Sequence, residues 1–173
     1  MDRRQRILFE ELKKVFPNVP MIRIPVCVNK DKSLGREHTQ RTRSFLFSAL
    51  GTVVAESVRA NGVRFFENGV VSLNFPVANE ALRSRASRTT HPLALQMLGE
   101  FHSLITGRPF VVDNPYLFKT KAEVVSTVPT YFAEQLIRYT ASCAHRGFFK
   151  SSTQWHCGTC SQCIDRRVAI LAT

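Results

Sequence analysis

Four cysteines late in the sequence are the residues with the clearest chemistry in this chain. They are Cys143, Cys157, Cys160 and Cys163, and the last three form the run Cys-Gly-Thr-Cys-Ser-Gln-Cys. Four thiolates suit a tetrahedral Zn²⁺, and a Cys-x-x-Cys turn brings two of them to one ion. Gly158 lets the backbone of that turn fold tightly. The spacing therefore predicts a four-cysteine zinc site in which Cys143 supplies the fourth ligand.

Other interpretations of these cysteines stay open. The thiols could be reduced and buried, could form a disulfide, or could include a redox-active Cys-x-x-Cys pair. Polar residues before Cys157 disfavour a buried apolar run, and a redox pair would leave two cysteines without a role. His145 and His156 flank the cluster, and either could replace one thiolate as a ligand. Cys27 lies too far away in sequence to be assigned to the site.

The charge of the chain indicates anionic partners. Over 173 residues the formal net charge is +11 at pH 7, with 44% hydrophobic and 21% charged residues. This composition is ordinary for a globular protein, and the length predicts one domain spanning residues 1–173. The positive charge favours nucleotide phosphates, nucleic acid or an acidic protein as partners. Without a signal-peptide pattern or a long apolar stretch, we expect no membrane association and a cytoplasmic location.

Several basic residues could contact an anion. Arg43, near the start of a helix, either contacts a phosphate or carboxylate or is simply solvated. Lys121 could face a nucleotide, although its position beside a helix cap favours exposure. Arg166 follows the last cysteine by three residues and could donate to a cysteine sulfur or a ligand, with a supporting structural role favoured. A flexible anion contact is also predicted in a long loop, at Arg83, Arg85 and Arg88.

The elements that must position these residues alternate between helix and strand. Helices are predicted at 3–16, 39–60, 91–106, 131–139 and 164–172, with a short one starting at Thr120. Strands are predicted at 21–28 and 63–66, and a short extended piece at 109–113. A loop is predicted at 29–37, and a turn at Asn68-Gly69. Phe45, Val53 and Val58 belong to a broad apolar face on the second helix. The alternation predicts a parallel α/β sheet that binds ligands at the C-terminal ends of its strands.

The cysteine block resembles that of the 7-cyano-7-deazaguanine synthase family, the QueC-like enzymes. In that family a Ser-Cys pair precedes a Cys-Gly-x-Cys-x-x-Cys-x-x-Arg stretch, which is similar to Ser142-Cys143 and residues 157–166 here. Three further similarities lie upstream, at Pro115 with Lys121-Ala122-Glu123-Val124, at Arg43-Ser44-Phe45-Leu46, and at Asn68-Gly69. The resemblance covers roughly residues 42–169, and the cysteine block is its specific part.

The resemblance implies an α/β fold of the Rossmann-like, adenine nucleotide alpha hydrolase-like kind, with a zinc-binding element at 142–167. It implies an ATP-dependent ligase that adenylates a carboxylate on a 7-deazaguanine and converts it through an amide to a nitrile. The zinc would be mainly structural, and Arg43, Lys121 and Arg166 would bind substrate or nucleotide. The long spacer between Cys143 and Cys157 favours a divergent relative, of the kind that joins a deazaguanine-type ligand to a partner protein in bacterial antiviral defence.

The chain lacks the Ser-Gly-Gly-x-Asp-Ser loop through which this family binds ATP. We therefore expect ATP and Mg²⁺ to bind only if the missing N-terminal unit is supplied. The expected function is that of the zinc-bearing C-terminal region of a QueC-like synthase, with a 7-deazaguanine-type molecule or a nucleotide as ligand. The alternative is a catalytically inactive, basic zinc module that binds nucleic acid or a partner protein. A homodimer is left open.

Overall fold

A computed structural model describes residues 2–26, 43–73, 90–143 and 156–173, without the side chains of residues 2–4. The chain divides into two compact units, the first formed by Met1–Leu34 with Lys121–Thr173 and the second by Gly35–Thr120. The described ranges are mainly helical and include a two-stranded parallel sheet. No helix within these ranges is long and apolar enough to cross a bilayer. The single domain expected over residues 1–173 stays a prediction.

The sheet of the second unit pairs β1 (Gly62–Arg64) with β2 (Val111–Asp113) in parallel, with Val63 opposite Val112. Both strands lie where the sequence predicts extended backbone, and their parallel pairing confirms that part of the fold prediction. The strands approach so closely at Gly62 that a Cβ there would lie 2.5 Å from the Val111 carbonyl oxygen. This contact explains why a residue without a side chain begins β1.

Helix α4 (Pro92–Thr106) covers the outer edge of β2, and its bounds agree with the helix predicted at 91–106. The Ser103 hydroxyl accepts a hydrogen bond from the Phe110 backbone N–H at 2.9 Å and lies 3.3 Å from the Phe110 carbonyl oxygen. Gly99 permits the close approach, because a Cβ there would lie 3.3 Å from that same carbonyl. The helix thus satisfies backbone groups that an open strand edge would expose. Beneath it, a small core combines Ala55, Leu95, Phe110 and Val112.

Helix α2 (Arg43–Ser57) buries small side chains instead of its large apolar ones. Phe45, Val53 and Val58, which the sequence places on a broad apolar face, are 49%, 70% and 63% exposed. The helix lies close to β1, where a Cβ on Gly51 would come within 2.8 Å of a Val63 methyl group. Only small residues fit such a contact. The side chains that are buried instead are Ser44, Ser48, Thr52 and Ala55.

The C-terminal end of α2 also differs from the prediction, which used Asn61-Gly62 as the stop signal. The helix ends at Ser57, and Arg59 adopts the left-handed conformation with φ of 57°. The Ala60 N–H then bonds to the Ala55 carbonyl oxygen at 2.8 Å, and the Arg59 N–H bonds to that of Glu56 at 3.2 Å. These two bonds form a Schellman motif, in which a residue other than glycine occupies the left-handed position.

Two further sequence predictions need correction. Met21–Val26 is not a strand: Ile22, Ile24 and Val26 are exposed, and the sheet of the described ranges contains only β1 and β2. Alternating apolar residues form a strand only when a neighbouring strand accepts their backbone hydrogen bonds. Asn68-Gly69 starts a helix rather than a turn, because the Asn68 side-chain oxygen accepts a bond from the Val71 N–H at 3.2 Å. That helix is α3 (Gly69–Leu73).

The first unit contains α1 (Asp2–Val15), α5 (Lys121–Ser126), α6 (Thr130–Leu136) and α7 (Ser161–Leu171). A 3-10 turn, Ile137–Tyr139, continues α6 toward Cys143. The rings of Phe16 and Phe132 meet with centroids 4.8 Å apart and connect the end of α1 to α6. All four helices agree in place with the predicted ones. Several predictions lie outside the described ranges, namely Cys27, the loop at 29–37, residues 39–42, the three loop arginines Arg83, Arg85 and Arg88, and His145.

Candidate metal centre

The four cysteines come from two segments of the first unit. Cys143 follows the 3-10 turn, whereas Cys157 and Cys160 flank a short turn. Cys160 is the N-cap of α7, and its carbonyl oxygen accepts bonds from the N–H groups of Cys163 and Ile164 at 2.9 and 3.0 Å. Because α7 starts at Ser161 and not at the predicted Ile164, Cys163 lies in the first turn of the helix. The helix therefore directs one ligand, and its cap directs another.

The four sulfur atoms converge. All of the Sγ atoms lie within 4.8 Å of one another. Cys157 Sγ is 3.8 Å from Cys163 Sγ, and Cys143 Sγ is 4.0 Å from Cys160 Sγ. A tetrahedral ion with metal–sulfur bonds of about 2.3 Å requires sulfur atoms about 3.8 Å apart. The four cysteines can therefore hold one metal ion such as Zn²⁺, and no comparable group of three ligands is found elsewhere in the described ranges.

None of the four cysteines is in a disulfide in this structure, which separates the metal interpretation from a disulfide. Their sulfur separations are about twice the S–S bond length of about 2.05 Å. Cys143, Cys160 and Cys163 are buried, and Cys157 is only partly buried. A redox-active Cys-x-x-Cys pair would involve two of these residues and would not account for the convergence of the other two.

Backbone donors point at the sulfur of Cys157. The N–H groups of Thr159 and Cys160 lie 3.4 and 3.2 Å from Cys157 Sγ. The turn achieves this because Gly158 has a φ of 77°, a value that glycine adopts at little cost. Such donors stabilise negative charge on a ligand sulfur. The sequence prediction that Gly158 permits a tight turn agrees with this geometry.

Burial makes at least one of the thiols hard to ionise without a cation. It raises the pKa of Cys163 to about 11, while a hydrogen bond from the Gly158 backbone acts in the opposite direction. A thiol with this pKa keeps its proton at neutral pH. The metal-binding form of cysteine is the thiolate, so binding of a cation at this site must release protons.

Arg166 ties the helix of the metal centre to the segment that carries Cys143. Its guanidinium donates to the Thr140 hydroxyl and to the Ile137 carbonyl oxygen, both at 2.5 Å. Burial lowers the pKa of Arg166, and the nearby Cys163 acts in the opposite direction. These contacts join α7 to the segment that carries Cys143, and the binding of a ligand by Arg166 stays a prediction.

The other two predicted anion-binding residues lie in different surroundings. Lys121 forms an ion pair with Asp165 and so joins α5 to α7, instead of standing exposed at the start of α5. Arg43 is exposed at the first residue of α2, with its guanidinium 5.6 Å from the ring centroid of Phe47. Arg43 belongs to the second unit, whereas Lys121 and Arg166 belong to the first.

A cavity of about 260 Å³ adjoins the cysteines. Among the described residues, its polar lining includes Arg166 and Arg167 and no carboxylate, and Ile170 and Leu171 supply apolar walls. Sequence reasoning missed this cavity. The sequence pattern that could have predicted the cavity is the spacing of Cys163, Arg166, Arg167 and Ile170. Residues three to four positions apart lie along one face of a helix, here α7.

The C-terminal ends of β1 and β2, where the sequence predicted a ligand, carry a closed polar network. Asn114 donates through its side-chain nitrogen to the Glu67 carbonyl oxygen at 2.7 Å and to Ser72 Oγ at 2.8 Å. Ser72 Oγ lies 3.1 Å from Thr90 Oγ1, and Thr90 Oγ1 donates to the Glu67 carboxylate at 3.4 Å. These groups satisfy one another and stabilise the loops that follow the two strands.

Comparison with known proteins gives no assignment, because no protein-family model, no curated protein and no solved structure matches the chain. The chemistry of the metal centre therefore rests on its geometry.

Proposed function

We propose that the chain is a zinc protein in which Cys143, Cys157, Cys160 and Cys163 hold one structural Zn²⁺. The observation that carries this proposal is the convergence of four Sγ atoms within 4.8 Å. A complete set of four thiolates leaves no open position for substrate or water, which is typical of a structural site. The ion would join the segment ending at Cys143 to the turn that begins at Cys157. Zinc binding would then contribute directly to the folding of the first unit.

Metal analysis of protein purified without chelators tests this assignment. We expect close to one equivalent of zinc per chain, and its loss in Cys160→Ala, because three thiolates bind the ion more weakly than four. Cys27→Ser is the matched control, since Cys27 lies far from the four ligands in sequence, and it should keep the zinc. Less than about half an equivalent in the native protein, or mononuclear iron in its place, would contradict the assignment.

We further propose that the chain is the zinc-bearing C-terminal region of a QueC-like ATP-dependent enzyme of Rossmann-like fold that acts on a 7-deazaguanine carboxylate. The resemblance of the cysteine block supports this proposal, and so does the cavity beside Cys163. Arg166 and Arg167 offer cationic donors to a carboxylate, and Ile170 and Leu171 offer an apolar surface to a flat ring. ATP and Mg²⁺ would need the phosphate-binding loop that this sequence lacks.

Calorimetric titration of the zinc-loaded chain with 7-carboxy-7-deazaguanine tests the ligand. We expect binding in the native chain and at least about tenfold weaker binding in Arg167→Ala, because one cationic donor to the carboxylate is removed. Arg138→Ala is the matched control, since Arg138 lies in the same unit and does not line the cavity. No heat of binding in the native chain, or equal affinity in Arg167→Ala, would contradict this ligand assignment. Pyrophosphate release from ATP should stay at the level of the protein-free control.

The net charge of +11 favours a second function, that of a basic zinc module that binds nucleic acid or a partner protein without catalysis. In that case single-stranded RNA should bind with an affinity that falls steeply as the salt concentration rises, because cations released from phosphates drive the association. A filter-binding titration at low and high salt distinguishes this function from the first. Binding of 7-carboxy-7-deazaguanine without RNA binding would exclude RNA as the ligand of the second function.

A further inference from the structure

The four cysteines of the metal centre differ in their access to solvent. Cys143, Cys160 and Cys163 are 1%, 8% and 5% exposed. Cys157 is only partly buried, and it begins a turn in which Gly158 and Thr159 are exposed. Of the four cysteines, Cys157 is therefore the residue with the greatest access to a small molecule in solvent.

The sulfur of Cys157 also has a second sulfur in reach, since Cys163 Sγ is 3.8 Å away. The N–H groups of Thr159 and Cys160, at 3.4 and 3.2 Å, and the Thr159 hydroxyl, at 3.5 Å, contact the Cys157 sulfur and hold it in this position. Access to solvent and a neighbouring thiol together define a site for oxidative modification.

We propose that Cys157 is the entry point for peroxide-class oxidants, and that its oxidation forms a disulfide with Cys163 and expels the metal. This inference rests on the proposed zinc site for the metal-release step. The modification of Cys157 itself requires only the geometry of the cysteines.

The chemistry takes two steps and consumes one hydroperoxide. The Cys157 thiolate attacks one peroxide oxygen, the O–O bond breaks, and sulfenic acid and hydroxide form. Cys163, a thiolate while it ligates the metal, then attacks the Cys157 sulfur, the S–S bond forms, and a second hydroxide leaves. Two electrons pass from the sulfurs to the peroxide, and the buffer supplies the two protons that convert the hydroxides to water. The sulfurs must approach each other by less than about 2 Å to reach disulfide bonding distance.

Metal release follows because the disulfide removes two of the four ligands. Cys143 and Cys160 remain, and two thiolates cannot complete a tetrahedral site. The helix is still tied to the rest of the unit, since Arg166 contacts Ile137 and Lys121 pairs with Asp165. The oxidised unit therefore keeps the cysteines near one another, and a dithiol reductant with added zinc should restore the site.

Two variants that exchange one ligand for histidine test the entry point. Zinc sites built from three cysteines and one histidine are common, so both Cys157→His and Cys143→His preserve a ligand set that can bind zinc. Each protein is loaded with zinc, its metal content is measured, and release is followed with a chromogenic chelator after hydrogen peroxide is added. We expect release at least about fivefold slower in Cys157→His than in the native protein, and a near-native rate in Cys143→His. Equal rates in Cys157→His and the native protein would overturn the proposal.

Trapping on the native chain gives a second readout that does not depend on the variants or on metal content. With limiting peroxide, dimedone should label Cys157 first. Mass-spectrometric fragmentation of the peptide that contains the three clustered cysteines identifies the labelled residue. Without dimedone, a maleimide added after oxidation should label Cys160 and leave Cys157 and Cys163 unmodified. First labelling of Cys160 or Cys163 by dimedone, or maleimide labelling of Cys163, would overturn the proposal. Absence of zinc before oxidation would contradict the proposed function and leave this readout intact.

Discussion

The guanidinium of Arg166 donates to the carbonyl oxygen of Ile137 at 2.5 Å. This bond joins α7, which carries Cys163, to the turn that leads into Cys143. The two segments that supply the metal ligands are therefore connected by protein contacts as well as by the sulfur cluster. Removal of the arginine should affect the metal centre even though its bonds go to Thr140 and Ile137.

Arg166→Leu should destabilise the first unit by about 2 kcal/mol, because two hydrogen bonds from a partly buried cation are lost. The variant should also transfer zinc faster to a competing chelator. Urea unfolding of the zinc-loaded protein and a chelator competition measure the two effects. Arg167→Leu is the control, since Arg167 is exposed on the same helix. Equal effects of both substitutions would mean that the contacts to Ile137 and Thr140 do not support the site.

Gly158 should tolerate asparagine better than alanine. Its φ is 77°, and a Cβ would meet no atom within 4 Å, so the cost of substitution is backbone strain and not a clash. Alanine in the left-handed region costs about 1 kcal/mol, and asparagine enters that region more readily. Zinc affinity should therefore decrease in the order native, Gly158→Asn, Gly158→Ala. A competition titration measures it, and an affinity in Gly158→Ala equal to the native one would contradict the expected strain.

His102 should make the stability of the second unit depend on pH. Ser48 Oγ donates to the Phe45 carbonyl oxygen at 2.9 Å, so His102 Nε2, at 3.1 Å, is the donor to Ser48. Burial lowers the pKa of His102 below its ordinary value of 6.5. Between the lowered pKa and about 6.5 the unfolded chain binds a proton that the folded chain does not, so stability is retained above this window and lost as the pH falls through it.

His102→Gln provides the comparison, because its amide can donate to Ser48 and does not titrate. The free energy of unfolding of the native protein relative to this variant should be smaller at about pH 5.5 than at about pH 7.5. Chemical unfolding with a chelator present measures the difference without a contribution from zinc release. If the free energies of unfolding of the native protein and the variant differ by the same amount at both pH values, the role of His102 is contradicted.

Gly62→Ala should disrupt the two-stranded sheet. A Cβ at this position would lie 2.5 Å from the Val111 carbonyl oxygen, so the strands must separate. Overpacking of this kind costs about 1–3 kcal/mol. Gly99→Ala is a milder control, because its nearest atom would be 3.3 Å away. Thermal unfolding ranks the stability of the two variants. A larger loss of stability in Gly99→Ala than in Gly62→Ala would contradict the predicted order.

The metal centre was predictable because its signal is local. Cys157, Cys160 and Cys163 lie within a few residues of one another, and ligand spacing on one turn needs no knowledge of the rest of the fold. The assignment of Cys143 as the fourth ligand depended on tertiary structure, and the convergence of the sulfurs supports that assignment. The cavity beside Arg167 was missed because it depends on which face of α7 meets the turn before it.

The strand predicted at 21–28 failed over its described residues, 21–26, for a different reason. Alternation of Ile22, Ile24 and Val26 describes which way side chains point in extended backbone, and it does not supply the neighbour that a strand needs. The end of α2 was wrong because Gly62 is needed for the approach to Val111 and so does not serve as the helix stop. In both cases a contact between distant residues outweighs the local signal.

The stripe of small residues on α2 reverses the usual tolerance of a helix to mutation. Ser48, although polar, is fully buried, and a leucine there would collide with its surroundings. Val53, although apolar, is 70% exposed and should accept lysine with little change in stability. A mutational scan of this helix would therefore find that its buried hydroxyl positions tolerate substitution poorly. A hydropathy profile would instead rank these positions as tolerant and the exposed apolar positions as intolerant.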